Sequence, residues 1–345
     1  MSGGPRVVGR RELGVLAALM AQVACGPPRP SAPPVPPELA RIPLDPLVDR
    51  FPAAGLSWVG ILAPRTIFGH ADLIPAVALL VTEERLAAFS RHNGGIDLRA
   101  VDELVVAAYG EHTRLQGVRV LLDPSAVEAS FNRRAIVEGR AIDRPSPPIV
   151  RAWGDLGGQR QELAIFGRDA AVLEVGRPPG SGSPAASPLR AVVAFVEGRL
   201  KRAQPVLRGA AAGVARLIGE APARAFVIGP FEGAWKGALG GLLEATTVVG
   251  AGAWLDGGGT IRVRIALGGA WGPDAPAAAE RLDAAMHVLR ENALGRVTGV
   301  DRPVSTPRAS FVPGALVWES GFDGLRIARG LHDALDAEIA EIMRH

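Results

Sequence analysis

The side chains able to do chemistry are few and widely spaced. Six histidines, His70, His92, His112, His287, His332 and His345, form neither an HExxH motif nor an H-x-H pair, so no metal-ligand spacing is visible among them. Glu111-His112 sets a carboxylate beside an imidazole, the pairing general acid–base catalysis uses, at a point where a hairpin turn is expected. His332 follows Arg329 by three residues and precedes Asp336 by four, which puts all three on the polar face of one helix. That is the ordinary pattern of an exposed, ion-paired surface. His287 lies five positions after Leu282, opposite the apolar stripe of its helix. Asp102-Glu103 precedes an apolar run and reads as a pair of edge charges. A glycosidase pair would join carboxylates distant in sequence and stays open.

Other catalytic and cofactor motifs fail on their context. Gly180-Ser181-Gly182-Ser183 has no strand before it, as a nucleophile elbow requires. Gly250-Ala251-Gly252 lacks the third glycine of a dinucleotide turn and lies inside a strand pattern. Lys236, in Trp235-Lys236-Gly237, lacks the spacing of a phosphate-cradling loop. A single cysteine, Cys25, excludes an intrachain disulfide and a cysteine-built zinc site. No catalytic residue, cofactor or metal ligand is assigned on this reading.

The charge balance carries little information about partners. The chain has 38 basic and 35 acidic residues, a formal net charge of +3, and a single tyrosine. Its pI of about 9.7 reflects the fact that Lys201 and Lys236 are the only lysines. With so few groups titrating above neutrality, a small excess of arginine moves the pI far upward. The arginines are dispersed, the densest spots being Arg10-Arg11 and Arg133-Arg134, and no basic stripe interleaved with aromatics appears. No nucleic-acid partner is expected.

The N-terminus is better organised. Arg6, Arg10 and Arg11 precede an apolar run, Leu13 to Ala24, interrupted only by Gln22 and too short to span a membrane. The run ends at Val23-Ala24-Cys25-Gly26, and a proline-rich segment through Pro37 follows, the composition of an extended tether. This order resembles the lipobox signal of bacterial lipoproteins, with Gln22 where that family usually has Leu. The resemblance implies that residues 1–24 are a signal peptide and that Cys25 is lipidated to become the first residue of the mature chain. It implies a bacterial envelope location, outer membrane favoured by Gly26, with the body in the periplasm or exterior and membrane contact through the lipid anchor.

With 48% hydrophobic and 21% charged residues, the remainder is long enough for a large core. After a tether over 25–40, two α+β halves are expected, 41–204 and 205–345, built from antiparallel hairpins and helices that start at strand ends. Ala76–Val81 reads as a buried strand, and Thr82, Asp123 and Ser187 read as helix N-caps. Leu104–Tyr109 and Leu115–Leu122 form a hairpin, and a meander follows over 149–153, 161–166 and 170–175. Asp256 to Gly259 and Pro313-Gly314 mark two further hairpin turns. A helix near 274–293 should bury Ala278, Leu282, Ala285, Leu289 and Ala293, and a last helix near 325–343 carries Leu331, Leu335, Ile339 and Ile342 in register. The two halves have similar grammar without exact repetition.

These readings describe a non-catalytic envelope lipoprotein with a binding or structural body. The alternative is a carrier of a lipid or other apolar ligand, suggested by the apolar, glycine-rich stretch Gly233–Gly252 and the six scattered tryptophans. A periplasmic hydrolase is the third reading.

Overall fold

The computed structural model describes residues 42, 44–176, 187–200 and 204–342, with the side chains of 210 and 335–342 excepted. The signal segment and the whole tether, Cys25 included, lie outside the described residues. The fold is α+β, built on one twelve-stranded antiparallel sheet. The strands are β1 (Leu56–Leu62), β2 (Glu103–Tyr109), β3 (Thr113–Arg119), β4 (Ile136–Pro145), β5 (Pro148–Leu156), β6 (Gln159–Phe166) and β7 (Ala170–Val175). They continue with β8 (Ala223–Ile228), β9 (Thr246–Leu255), β10 (Thr260–Gly269), β11 (Arg308–Val312) and β12 (Ala315–Asp323). Their spatial order is β11-β12-β10-β9-β8-β1-β2-β3-β7-β6-β5-β4.

This order contains the same path twice. Outward from the centre, β1-β2-β3-β7-β6 is matched by β8-β9-β10-β12-β11. In each, three strands run in chain order, a helix intervenes, and a later hairpin adds its second strand beside the third. The helices in question are α4 (Pro124–Arg134) and α7 (Ala275–Glu291). The hairpin β4–β5 extends the first run alone. β1 and β8 pair antiparallel at the seam, so both runs share one sheet.

The capping residues act as the sequence indicates. Thr82 Oγ1 accepts the Arg85 N–H at 3.3 Å and starts α3 (Glu83–His92). Asp123 Oδ1 accepts the N–H groups of Ser125 and Ala126 at 2.9 and 3.3 Å, and Pro124 occupies the first turn of α4. Ser187 Oγ accepts the Arg190 N–H at 3.2 Å at the head of α5 (Pro188–Val196). The short helices α1 (Pro64–Phe68), α2 (Ile74–Leu80), α6 (Ala212–Ile218) and α8 (Ala293–Val297), with the long α9 (Gly324–Ile342), complete the set.

Two expectations fail for physical reasons. Ala76–Val81 lies largely within helix α2 and is not a strand. Pro75 removes a ladder donor yet fits a first helical turn, and only one face is buried, with Ala76 sealed and Ile74 55% exposed. In α7 the buried stripe is Ala275, Ala278, Ala279, Leu282 and Met286, while Leu289 is 45% exposed. The helix rests on the sheet through its first three turns and then runs past it. Strand β4 was not anticipated, because Ile136 to Pro145 is charged and shows no apolar alternation. It is the outermost strand, and its pairing with β5 slips at two places.

The sheet's faces are covered differently. On one face a core continuous across the seam joins Val59, Ile61, Val105, Leu115, Phe226 and Val248 to α5, α6 and the turn Leu47–Arg50. On the other face the core is split. One part lies with α3 and α4, around Leu86, Phe131 and Ile165, and another with α7, around Leu282, Trp318 and Phe322. A small cluster of Leu73, Ala76 and Ala328 ties α2 to α9 near the β9–β10 turn.

Candidate functional site

Between the two parts of the split core lies an apolar groove of about 450 Å³. It follows directly from strand alternation and register. Side chains two apart along a strand share a face. Gly60 of β1 pairs with Ala225 of β8, and Ala225 pairs with Ala251 of β9. The adjacent row runs Leu62–Ala223–Ala253. Five of these six side chains have at most one carbon. The same face carries Leu and Ile on β6 and Leu and Trp on β10 and β12, so the sheet is starved of volume at its centre. A Cβ placed on Gly60 would find only the Trp58 ring within 4 Å, at 3.8 Å.

One wall comes from the β1–β2 connection: Ile67 and Phe68 of α1, Val77 and Leu80 of α2, Phe89 of α3, and Leu98. The corresponding β8–β9 connection folds instead into single turns whose Leu242 and Leu243 sink into the core under α7. The seam therefore has a cover on one side only. Val227, on a strand with neighbours on both sides, is 40% exposed because no helix lies over it. The groove begins beside it, at Trp58, the cross-strand partner of Val227. Toward the β9–β10 turn, Val77 and Leu80 of the wall also pack on the α2–α9 cluster of Leu73, Ala76 and Ala328.

The lining is almost entirely carbon. Arg224 is its one charged lining residue. Strand alternation turns the Arg224 side chain to the opposite face, where Nη1 donates to the Gly219 carbonyl at 3.0 Å. The Trp58 indole N–H is then the one hydrogen-bonding side-chain group in the lining.

The buried ionic groups lie elsewhere and support the fold. Glu103 is not an edge charge, as the sequence suggested: it sits in the middle of the sheet, 5% exposed. Its carboxylate accepts the N–H groups of Leu47 and Val48 at 2.6 and 3.1 Å. Asp102 pairs with Arg65 at 2.6 Å. Glu162 is paired with Arg151, which also holds Asp143 and lies 5.7 Å from the Trp153 ring centroid. Glu174, opposite Glu162 on β7, accepts from the Ser187 hydroxyl at 2.7 Å and the Leu189 N–H at 2.8 Å. Burial pushes its carboxyl above the usual range and the nearby Glu162 adds to this, while the Ser187 and Leu189 hydrogen bonds and Arg190 oppose it. Both carboxylates are committed to fixed partners.

Among the described residues the histidines are not gathered into a site. His112 Nε2 lies 3.6 Å from Glu111 Oε2 in the open β2–β3 turn, both side chains well exposed. His92 Nδ1 is 2.8 Å from the Ala88 carbonyl, and His287 Nδ1 is 3.3 Å from Arg290 Nη2 on the outer face of α7. His332 is half-buried on α9, and the Asp336 side chain and His345 lie outside the described residues. Among the described residues no group of three or more His, Cys, Asp and Glu side chains could hold a metal ion.

The tryptophans divide by role. Trp318 and Trp271 are core, and Trp254 lies about 5 Å from both Arg262 and Arg264. Trp235 is 48% exposed, and Trp58 alone lines the groove. Of the stretch Gly233–Gly252, only Ala251 and Gly252 contribute to the wall. Among the described residues no helix is long and apolar enough to cross a membrane. Comparison with protein-family models, curated proteins and solved structures gives no match.

Proposed function

We propose that the chain is a non-catalytic carrier or receptor for an apolar ligand, tethered to the bacterial envelope through a lipidated Cys25. The observation that carries the first part is the groove at the β1–β8 seam: about 450 Å³, carbon-lined and partly open. That volume is within the ~300–1,000 Å³ of small-molecule sites. A stable sheet gains from filling such space, so its persistence in a row of glycine and alanine supports use by a ligand. The second part rests on the charged start, the apolar run, Cys25 and the proline-rich segment.

The two parts have separate tests. Full-length protein extracted under mild conditions should release an apolar small molecule detectable by mass spectrometry, and Gly60→Leu should release much less. Equal, negligible release from both proteins would overturn ligand binding. Labelled fatty acid should be incorporated by the wild type and not by Cys25→Ser, and equal labelling would overturn the anchor.

A further inference from the structure

Resting on the ligand-binding reading, we propose that the groove takes a single aliphatic chain end-on, so that ligands are single-chain amphiphiles selected by chain length and not by head group. Three observations lead there. Apart from the Trp58 indole N–H, the wall offers no hydrogen-bonding side chain and no charge, since the Arg224 guanidinium is on the other face of the sheet. A head group buried here would lose its water with no replacement. The polar end of any ligand therefore stays in solvent.

The groove also has a direction. Along the strands it runs from Trp58, paired with the exposed Val227, toward Val77 and Leu80, which also pack on the cluster of Leu73, Ala76 and Ala328; on this proposal the first end is the mouth and the second the stop. The floor between Trp58 and Leu62 covers four residues of strand, about 13 Å. With a volume of about 450 Å³, it is at the small end of ligand sites and accommodates one chain rather than the paired chains of a phospholipid. A blind end makes the trough a ruler: each methylene gains until the chain meets the α2–α9 contact.

The test is displacement of N-phenyl-1-naphthylamine from full-length protein, with ligands below their micellar concentrations. Dodecanoate, dodecanol and dodecylamine should compete equally, within about threefold. Along the saturated carboxylates, affinity should rise about fourfold per methylene and then stop rising once the groove is full. A preference above tenfold among the three head groups, or no dependence on length, would overturn the proposal while leaving apolar-ligand binding intact. If the wild type binds neither the probe nor any chain, the ligand-binding reading falls with it. Gly60→Leu should abolish probe binding with an unchanged circular dichroism spectrum. Ala225→Val, a smaller intrusion in the same row, should shorten the longest chain accepted, and an unchanged length profile would count against the ruler.

Discussion

Trp58 stands directly opposite Val227 across the β1–β8 ladder, and its ring leans back over the floor position of Gly60. A large indole at the mouth, half-buried, changes environment when the groove fills. Saturation with dodecanol should therefore shift and intensify the tryptophan emission, and Trp58→Phe should remove most of that change. Trp58→Phe should alter stability by less than about 1.5 kcal/mol, because the ring is not enclosed by the core. Retention of the full emission change in the variant would place the ligand elsewhere.

The Glu103 carboxylate holds the turn Leu47–Arg50 against the sheet. Glu103→Ala leaves two buried N–H groups without an acceptor, and each costs ~1–3 kcal/mol. The loss in urea unfolding should be about 2–4 kcal/mol, with Glu103→Gln intermediate because one amide oxygen still accepts. A loss below about 0.5 kcal/mol would show that the turn is held by packing alone.

Arg151 sits between Glu162 and Asp143, with side-chain exposures of 16%, 5% and 19%. Removing one partner of a buried pair costs more than the pair itself contributes, about 3–5 kcal/mol. Arg151→Met should approach that figure, since it strands Glu162 with only the exposed Arg190 nearby at 3.9 Å. Asp143→Asn should cost less, because Arg151 keeps Glu162. Reversal of this ranking in denaturant unfolding would refute the assignment.

Glu174 gives a pH signature. Its carboxyl is raised by burial, so the folded state binds the proton more tightly than the unfolded chain. Stability from this group is fully present below the ordinary glutamate range and declines as pH rises from that range through the folded value. Glu174→Gln should flatten the decline of the stability–pH curve that starts in the ordinary glutamate range. An unchanged slope would assign the dependence to other groups.

The parts of the fold legible in the sequence were those fixed by short-range chemistry. Thr82, Asp123 and Ser187 cap where they should, and the glycine-rich turn after Asp256 joins two strands as its composition indicates. The alternating segments of the meander became β5, β6 and β7. Misreadings arose where tertiary context decides: α2 has the composition of a strand, and Glu103 looks like a surface charge until its strand is placed at mid-sheet. The groove was not legible for a similar reason. Gly60, Ala225 and Ala251 are ordinary small residues in three separate strands, and only the pairing register makes them a row. Of the expected greasy stretch, Gly233–Gly252, Leu242 and Leu243 pack under α7, while the residues around Trp235 are exposed.

The β1–β8 ladder also bears on how the chain is made. β1 ends at Leu62, and its partner begins at Ala223, so most of a domain's worth of chain must be synthesised between them. Until β8 emerges, β1 is a free sheet edge bearing Trp58, Val59 and Ile61, the sort of exposed template on which nascent chains stick to one another. Truncations ending before Ala223 should for this reason be insoluble or chaperone-bound, even though the first seven strands are complete.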